Sequence, residues 1–488
     1  YQCMKARALK ENILRKLGRV KEAEELHKES LKIDPLYDRQ PEKINHNTLL
    51  ELVIDLYEAG DYAQGITLAE KWVKQQNVSR QEDIYPLVYY YIAYGYQNLH
   101  RKENTEQANC YMTMYVTLGE NAAADGCFPH RTEDYIVLKS LAEEYHLAMA
   151  YYYLGCLLYD RRVYDESIED YEESILRSPD FPTVHRNLAL AYYNVKKLPQ
   201  RAYEEMEKAF ALDETDARVY LELDQLKKRL NVAVKERWSD MEKHFDLVES
   251  RDDLYLEYVT LLNTLGEPEK ALGLIKARKF HQWEGGEGKV AAQYLTALYQ
   301  LAKAAVEKED YAEAKELLLR AVGEYPHNLG EGKLESGQEN NLYYLLGLVQ
   351  EKLGEAKDAF ESLTRACCGE SEPVGMMYYN DQPPEMIYYQ GLAYRMLGEE
   401  EQAVRRFQKL VDYGREHIRD DVKIDYFAVS LPDLLIFEEN LNERNRKHCL
   451  FMVSLGLKGL GRIDEAEKCA EELLAMDNAH QEIRVHDL

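Results

Sequence analysis

The 488-residue sequence contains no apolar run that approaches the roughly 20 residues needed to span a bilayer. Its first residues, YQCMKARALK, lack the hydrophobic segment of a signal peptide and an initiating methionine, so we expect the chain to begin inside a longer protein. The eight cysteines include no CxxC pair, which predicts reduced thiols and a cytoplasmic location.

Positive charge is also in deficit. The chain has 61 Lys and Arg against 88 Asp and Glu, a formal net charge of −27. Such a charge repels phosphate groups at long range. The composition therefore argues against nucleic acid and against a membrane surface as partners.

Catalytic and cofactor motifs are missing as well. The two GEGK strings, at 286–289 and 330–333, lack the first glycine and the Ser or Thr of a phosphate-binding loop, and no HExxH is present. The histidines are scattered, and His480 and His486 are most simply tail residues, so we predict no metal and no cofactor.

Glycoside hydrolysis would need two carboxylates roughly 5–10 Å apart. The loop carboxylates available for it are Glu284, Glu287, Glu331, Asp381 and Asp425. Acidic loop residues are usually only solvated, so the sequence favours a non-enzymatic role for this chain alone.

A 34-residue unit is the most informative feature that is present. It runs from Ala148 to Phe181, AMAYYYLGCLLYDRRVYDESIEDYEESILRSPDF. Small residues at Gly155 and Ser167 would let two helices of one hairpin approach closely, and Pro179 ends the second helix. This spacing resembles the tetratricopeptide repeat (TPR).

Related patterns recur along most of the chain, about ten in all, for example YVTLLNTLGEPEKALGLI and YYQGLAYRMLGEEEQAVRRF. The resemblance implies an all-α fold, a right-handed TPR α-solenoid (superhelix). The Gly-, Ala- and Pro-rich string GENAAADGCFPH interrupts the series. We therefore predict an N-terminal TPR-like helical block at 1–118, a break at 119–131 and a main solenoid at 132–488.

Four long connections depart from the regular repeat, at 279–288, 323–336, 368–384 and 414–442. Each follows the second helix of one hairpin and precedes the first helix of the next, so all four should emerge on one edge of the solenoid. We predict a ligand- or partner-binding loop edge there, made by His281, Trp283, Glu284, Glu287, His327, Asn328, Tyr378, Tyr379, Asn380, Asp381, Asp425 and Tyr426. The alternative is that these insertions only cover an apolar seam between repeats.

The concave groove, lined by the first helix of each hairpin, is the second candidate surface. Its predicted binding residues are Tyr152, Tyr159, Arg186, Asn187, Tyr193, Asn194, Tyr299, Tyr344 and Tyr388. Tyrosine offers flat apolar area and a hydroxyl at low entropic cost, which suits peptide or sugar recognition. Ordinary packing between helices is the alternative for any one of these tyrosines.

A looser resemblance links the chain to the C-terminal TPR part of certain bacterial proteins of unknown function. In those proteins a β-rich, mutarotase-like region precedes the repeats. The strings behind it are CFPHR at 127–131, WEGGEGK at 283–289, YYNDQPP at 378–384 and DYFAVSLPD at 425–433. The resemblance implies a carbohydrate-related context and a possible partner in the protein's own N-terminal domain.

Two functions remain open from the sequence. The first is a TPR scaffold that binds a protein or peptide, or another domain of the full-length protein, through the groove and the loop edge. The second is the helical portion of a carbohydrate-binding or carbohydrate-processing protein whose loops complete a sugar site.

Overall fold

The computed structural model describes residues 4–35, 45–76, 84–103, 106–283, 285–333, 338–375, 381–423 and 436–486. Within these ranges the chain forms 25 α-helices and one short 3-10 helix, and it contains no β-strand. The all-α prediction is therefore confirmed. No helix in the described part of the chain is long and apolar enough to cross a membrane.

The chain divides into two compact units, residues 1–191 and 192–488. The first unit contains α1 (Met4–Lys16), α2 (Val20–Ile33), α3 (His46–Glu58), α4 (Tyr62–Gln75), α5 (Pro86–Glu103), α6 (Glu106–Asn121), α7 (Thr132–Tyr145), α8 (Ala148–Asp160), α9 (Tyr164–Arg177) and most of α10 (Pro182–Asn194). Residues 122–131 are not helical. The predicted break at 119–131 coincides with this segment in part, and the predicted domain boundaries stay a prediction.

The second unit begins within α10. It contains α11 (Pro199–Leu212), α12 (Ala217–Arg229), α13 (Val234–Lys243), α14 (Phe245–Ser250), α15 (Asp252–Thr264), α16 (Pro268–Ala277), α17 (Lys289–Glu307), α18 (Tyr311–Ala321), α19 (Asn340–Lys352), α20 (Ala356–Ala366), α21 (Pro384–Met396), α22 (Glu400–His417), α23 (Leu441–Gly459), α24 (Ile463–Met476) and α25 (Gln481–Val485). From α15 to α24, each odd-numbered helix packs against the helix that follows it. This series of hairpins is an α-solenoid.

Glycines set the closest approaches inside these hairpins. A Cβ atom on Gly155 of α8 would lie 2.5 Å from Cδ1 of Tyr171 in α9. Nearby, the Ser167 hydroxyl donates a 2.7 Å hydrogen bond to the carbonyl oxygen of Gly155. The two small residues of the 34-residue unit thus contact each other across the hairpin, as the repeat pattern predicts.

A buried ion cluster holds the less regular helices α12, α13 and α15 together. The guanidinium of Arg237, which is 1% exposed, donates to Asp224 at 3.0 and 2.6 Å and to Glu257 at 2.7 Å. Two carboxylates from flanking helices offset the cost of burying this cation. The cluster fixes α13 where the repeat pattern is weakest.

Candidate functional site

The first two insertions of the second unit pack on each other. The amide N–H of Phe280 donates to the carbonyl oxygen of Asn328 at 2.8 Å. The Asn328 side chain in turn donates to the carbonyl oxygens of Ile275 and Arg278 at 2.7 and 2.8 Å. Phe280 and Leu329 are each 2% exposed, so the paired insertions have a small apolar core of their own.

Glu331 joins the second insertion to the start of α17. Its carboxylate accepts hydrogen bonds from the amide N–H groups of Gly288, at 2.8 Å, and Ala291, at 3.3 Å. Gly288 is the N-cap residue of α17 and Ala291 lies in its first turn, so neither amide has a partner within the helix. The Glu331 carboxylate therefore serves as a cap for the start of α17.

Asp252, the first residue of α15, anchors the other end of the first insertion. It accepts hydrogen bonds from Arg278 Nε at 2.6 Å and from the His281 amide N–H at 2.8 Å. The His281 ring nitrogen Nδ1 lies 3.2 Å from the same carboxylate. These bonds lower the pKa of Asp252 against the opposing effect of its partial burial.

The paired insertions enclose a pocket of about 330 Å³. It is lined by His281, Gln282, Trp283, Gly286, Glu287, Val290, Leu329 and Glu331. The indole ring of Trp283 lies against the α-carbon of Gly286, where any larger side chain would collide with it. A smaller pocket of about 190 Å³ adjoins it and shares His281, Gln282 and Trp283.

The predicted loop-edge residues fall into several groups. His281, Trp283 and Glu287 line the pocket, Asn328 holds the two insertions together, and His327 is exposed outside the lining. Glu284, Tyr378, Tyr379, Asn380, Asp425 and Tyr426 lie outside the described residues. Sequence reasoning missed Gln282, Val290 and Leu329, because nothing in their residue types marks them as pocket-forming.

Asp381 belongs to the other pair of insertions. Burial raises the pKa of Tyr413, with smaller contributions from Cys449, Asp420 and Asp381. Asp420 belongs to the fourth insertion and Asp381 to the third, so both insertions lie near this tyrosine. The third insertion also contacts α23, since the ring nitrogen Nε2 of His448 lies 2.9 Å from the Val374 carbonyl oxygen.

The predicted groove residues of the first unit serve internal packing. Tyr152 is 8% exposed and packs edge-on against Phe181, with ring centroids 4.9 Å apart. Tyr159 packs against Tyr164 in the same way at 5.2 Å. Arg186 and Asn187 are neighbours on α10 and are partly exposed, with Arg186 Nη1 donating to the Asn187 side-chain oxygen at 3.2 Å.

In the second unit, the end of the fourth insertion covers the predicted groove residues Tyr193 and Asn194. Asn194 donates to the carbonyl oxygen of Ile436 at 2.8 Å and accepts from the amide N–H of Glu438 at 2.9 Å. The ring of Tyr193 packs edge-on against that of Phe437, with centroids 5.0 Å apart. This face is therefore already occupied by the chain itself.

The segment that follows α24 packs against Tyr299, one of the remaining predicted groove residues. His486 is 7% exposed, and its ring nitrogen Nδ1 lies 2.9 Å from the hydroxyl of Tyr389, which is 2.6 Å from that of Tyr299. Tyr344 and Tyr388 pack on the same Tyr389 ring, at 5.5 and 5.4 Å. The interpretation of His486 as a simple tail residue is wrong, because the groove encloses it.

Two titratable groups in this region are strongly shifted. Burial lowers the pKa of His486 to about 3, with smaller effects from Lys303 and Lys458. Burial, and secondarily the charge of Glu482 on α25, raises the pKa of the Glu385 carboxyl to about 8. Both shifts favour the neutral forms of these side chains when α25 is in place.

Comparison with known protein families identifies the type of repeat. Residues 152–217 and 299–373 match a family model described as tetratricopeptide repeat, and residues 385–413 match a second tetratricopeptide-repeat model. These three segments of the chain are therefore tetratricopeptide repeats. Proteins with such repeats are interaction scaffolds that bind proteins or peptides on the surfaces of the stacked hairpins.

Several solved structures are similar to the chain. They include yeast Tom70 (10% identity, covering 99% of this chain and 94% of that chain, TM-score 0.31) and a human IFIT1 dimer with m7Gppp-AAAA (11%, 89% and 90%, TM-score 0.27). A tetratricopeptide repeat protein from Parabacteroides merdae has 14% identity, covers 62% of this chain and 98% of that chain, and has a TM-score of 0.24. At these TM-scores the similarities carry no inference about a ligand or partner.

Proposed function

We propose that this chain is a scaffold that binds a partner protein at the loop edge, where the pocket between the first two insertions receives an exposed Lys or Arg side chain of the partner. The observation that carries the proposal is the presence of the Trp283 indole and the exposed Glu287 carboxylate in the lining of one pocket. An aromatic face beside a carboxylate is the combination that attracts a cationic side chain.

The other charged groups around the pocket are already engaged. Glu331 caps α17, Asp252 binds Arg278 and the His281 amide, and Asp253 in the adjoining pocket pairs with Arg251 at 2.6 Å. Glu287 has no hydrogen bond or ion pair to any other described residue. It is therefore the carboxylate available to a ligand.

Electrostatics at longer range supports a basic partner. The net charge of −27 would speed association with a positively charged surface and would oppose an acidic one. A cation over an indole contributes about 0.5–2 kcal/mol, so this pocket alone would bind weakly. We therefore expect it to select one anchor residue within a larger contact along the same edge.

Peptide binding would test the proposal directly. The probes are a fluorescent peptide containing one central Arg, flanked by Gly and Ser, and the same peptide with citrulline in place of Arg. The wild-type chain should bind the Arg peptide in preference to the citrulline peptide. Binding of the Arg peptide should weaken about tenfold, or roughly 1.4 kcal/mol, in Trp283→Ala and in Glu287→Lys.

Glu269→Lys is the matched control, because Glu269 is an exposed carboxylate on α16 outside the pocket lining. It makes the same charge change and should leave peptide binding within twofold of wild type. Equal binding of the Arg and citrulline peptides, or unchanged binding in Trp283→Ala, would refute the proposal.

A neutral oligosaccharide is the second probe, since an indole also stacks on sugar rings. Sugar binding that is lost in Trp283→Ala but retained in Glu287→Lys would favour the carbohydrate-binding alternative. Hydrolysis by a carboxylate pair at this pocket is disfavoured, because Glu331 is held by two backbone amides.

A further inference from the structure

We propose that residues 477–486 are an intramolecular peptide ligand of the groove in the second unit, and that the groove binds the same sequence from a second copy of this chain once its own segment has been displaced. The occupied groove is distinct from the loop-edge pocket, so this proposal does not rest on the function proposed above. It rests on how the segment is held.

Side-chain amides recognise the backbone and the polar groups at the start of the segment. Asn478 donates two hydrogen bonds to Asn231, from its amide N–H to the side-chain oxygen at 2.8 Å and from its side-chain amide to the carbonyl oxygen at 2.6 Å. Three residues later, Gln481 exchanges hydrogen bonds with Gln293, at 2.9 and 3.2 Å, and also donates to Thr260 and Thr264 at 3.2 Å. Asn and Gln side chains can donate and accept hydrogen bonds at the same time. These contacts therefore depend on the residue types at positions 478 and 481.

The end of the segment is held by charge-assisted bonds and by an aromatic pocket. Lys303 donates to the carbonyl oxygen of Val485 at 2.8 Å, and Lys458 donates to that of His486 at 3.2 Å. The His486 ring packs against both Tyr299 and Tyr389, with centroids 5.8 and 5.4 Å away. Lysines from two different hairpins thus fix the backbone while the tyrosines enclose the side chain.

The helix of the segment, α25, packs against α15, a helix more than 200 residues earlier in the chain. Helix α25 has only five residues, too few to be stable in isolation. Ile483 and Val485 are buried, at 1% and 6% exposure, while Arg484 between them points to solvent. The groove therefore supplies the surface that orders the segment, as a binding site does for a peptide.

Attachment in the same chain keeps the site filled. A short tether gives the segment an effective concentration on the order of 1 mM. If the free sequence binds with a Kd of about 10 µM, the tethered segment would weaken binding of an added peptide about 100-fold. The groove is then closed to other copies until the tethered segment is weakened or removed.

The test uses the full chain and a fluorescein-labelled synthetic peptide of residues 477–488. In the variant Gln481→Ala/His486→Ala the tethered segment loses the side-chain contacts of Gln481 and His486, and the peptide should bind more tightly than it binds to the wild type, approaching the limit of about 100-fold set by the tether. Arg484→Ala is the matched control, since the hydrogen bond of this exposed arginine goes to the Asn478 carbonyl oxygen of its own segment. It should behave like wild type, and a peptide with both alanines should not compete.

Failure of the peptide to bind a folded double variant, or equal binding to the double variant and the wild type, would overturn the proposal. If the double variant does not fold, hydrogen exchange of the wild-type chain decides. If the amides of residues 483–486 exchange faster than those of α21, through a local opening, the segment can leave the groove without global unfolding, which supports the proposal. If residues 483–486 and α21 both exchange only through global unfolding of the chain, the proposal is overturned.

Discussion

Phe407 provides the sharpest test of how the hairpins pack. Its ring is fully buried in the second unit and lies between Gly391 of α21 and Gly459 of α23. A Cβ atom on Gly391 would lie 2.5 Å from Cε1 and 2.7 Å from Cζ of the ring, and one on Gly459 would be closer still. Carbon atoms at contact are about 3.5–4.0 Å apart. The ring cannot move away from one glycine without approaching the other.

Gly391→Ala should therefore destabilise the chain although alanine is the better helix former. Overpacking of this kind costs about 1–3 kcal/mol, and the helix propensity of alanine returns about 1 kcal/mol. Because the ring is confined on both sides, we expect a net loss of about 1–2 kcal/mol in the free energy of unfolding.

Gly273→Ala on α16 is the matched comparison. Gly273 is exposed, and nothing lies within 4 Å of its Cβ position. The same substitution should there stabilise by about 0.5–1 kcal/mol. Urea unfolding followed by circular dichroism should separate the two variants by about 1.5–3 kcal/mol, the sum of these opposite effects. If Gly391→Ala is as stable as Gly273→Ala, the reasoning about the confined ring is wrong.

Four further outcomes can be measured by similar means. Glu331→Ala should cost about 1 kcal/mol and speed hydrogen exchange at residues 288–291, since two amides lose their acceptor. Arg237→Met should lower the free energy of unfolding by about 3–5 kcal/mol, because Asp224 would be left with an unpaired buried charge. In urea unfolding against pH, the folded chain keeps a proton on Glu385 up to about pH 8, whereas the unfolded chain loses it near 4.5, so stability should fall as the pH rises toward 8. His486 should have the opposite effect: the unfolded chain binds a proton below pH 6.5 that the folded chain accepts only near 3, so stability should also fall as the pH drops through this range.

The hairpins could be predicted from the sequence because their packing is local. Gly155 and Ser167 are twelve positions apart and lie in contact, so a repeated pattern of small residues carries most of the information about each pair of helices. The positions of the insertions along the sequence could be predicted in the same way, because each falls between the second helix of one hairpin and the first helix of the next.

The occupied groove could not be predicted, since its contacts are distant in the sequence. The bond from Gln481 to Thr260 spans 221 residues, and no local pattern in the string HQEIRVH indicates where it binds. The repeat pattern predicts Tyr299 on the groove face, but its neighbour His486 is presented by the sequence only as one more scattered histidine.

Closure of the groove by residues 477–486 has a consequence for biosynthesis. Translation proceeds at roughly 5–20 residues per second, and Gln481 follows Thr260 by 221 residues. The hairpin of α15 and α16 can therefore form roughly 10–45 s before the segment that covers it has been synthesised. Once Tyr299 has been synthesised, the nascent chain presents it and its neighbours to solvent or to a chaperone, and a ribosome that stalls before residue 477 would leave this aromatic surface open.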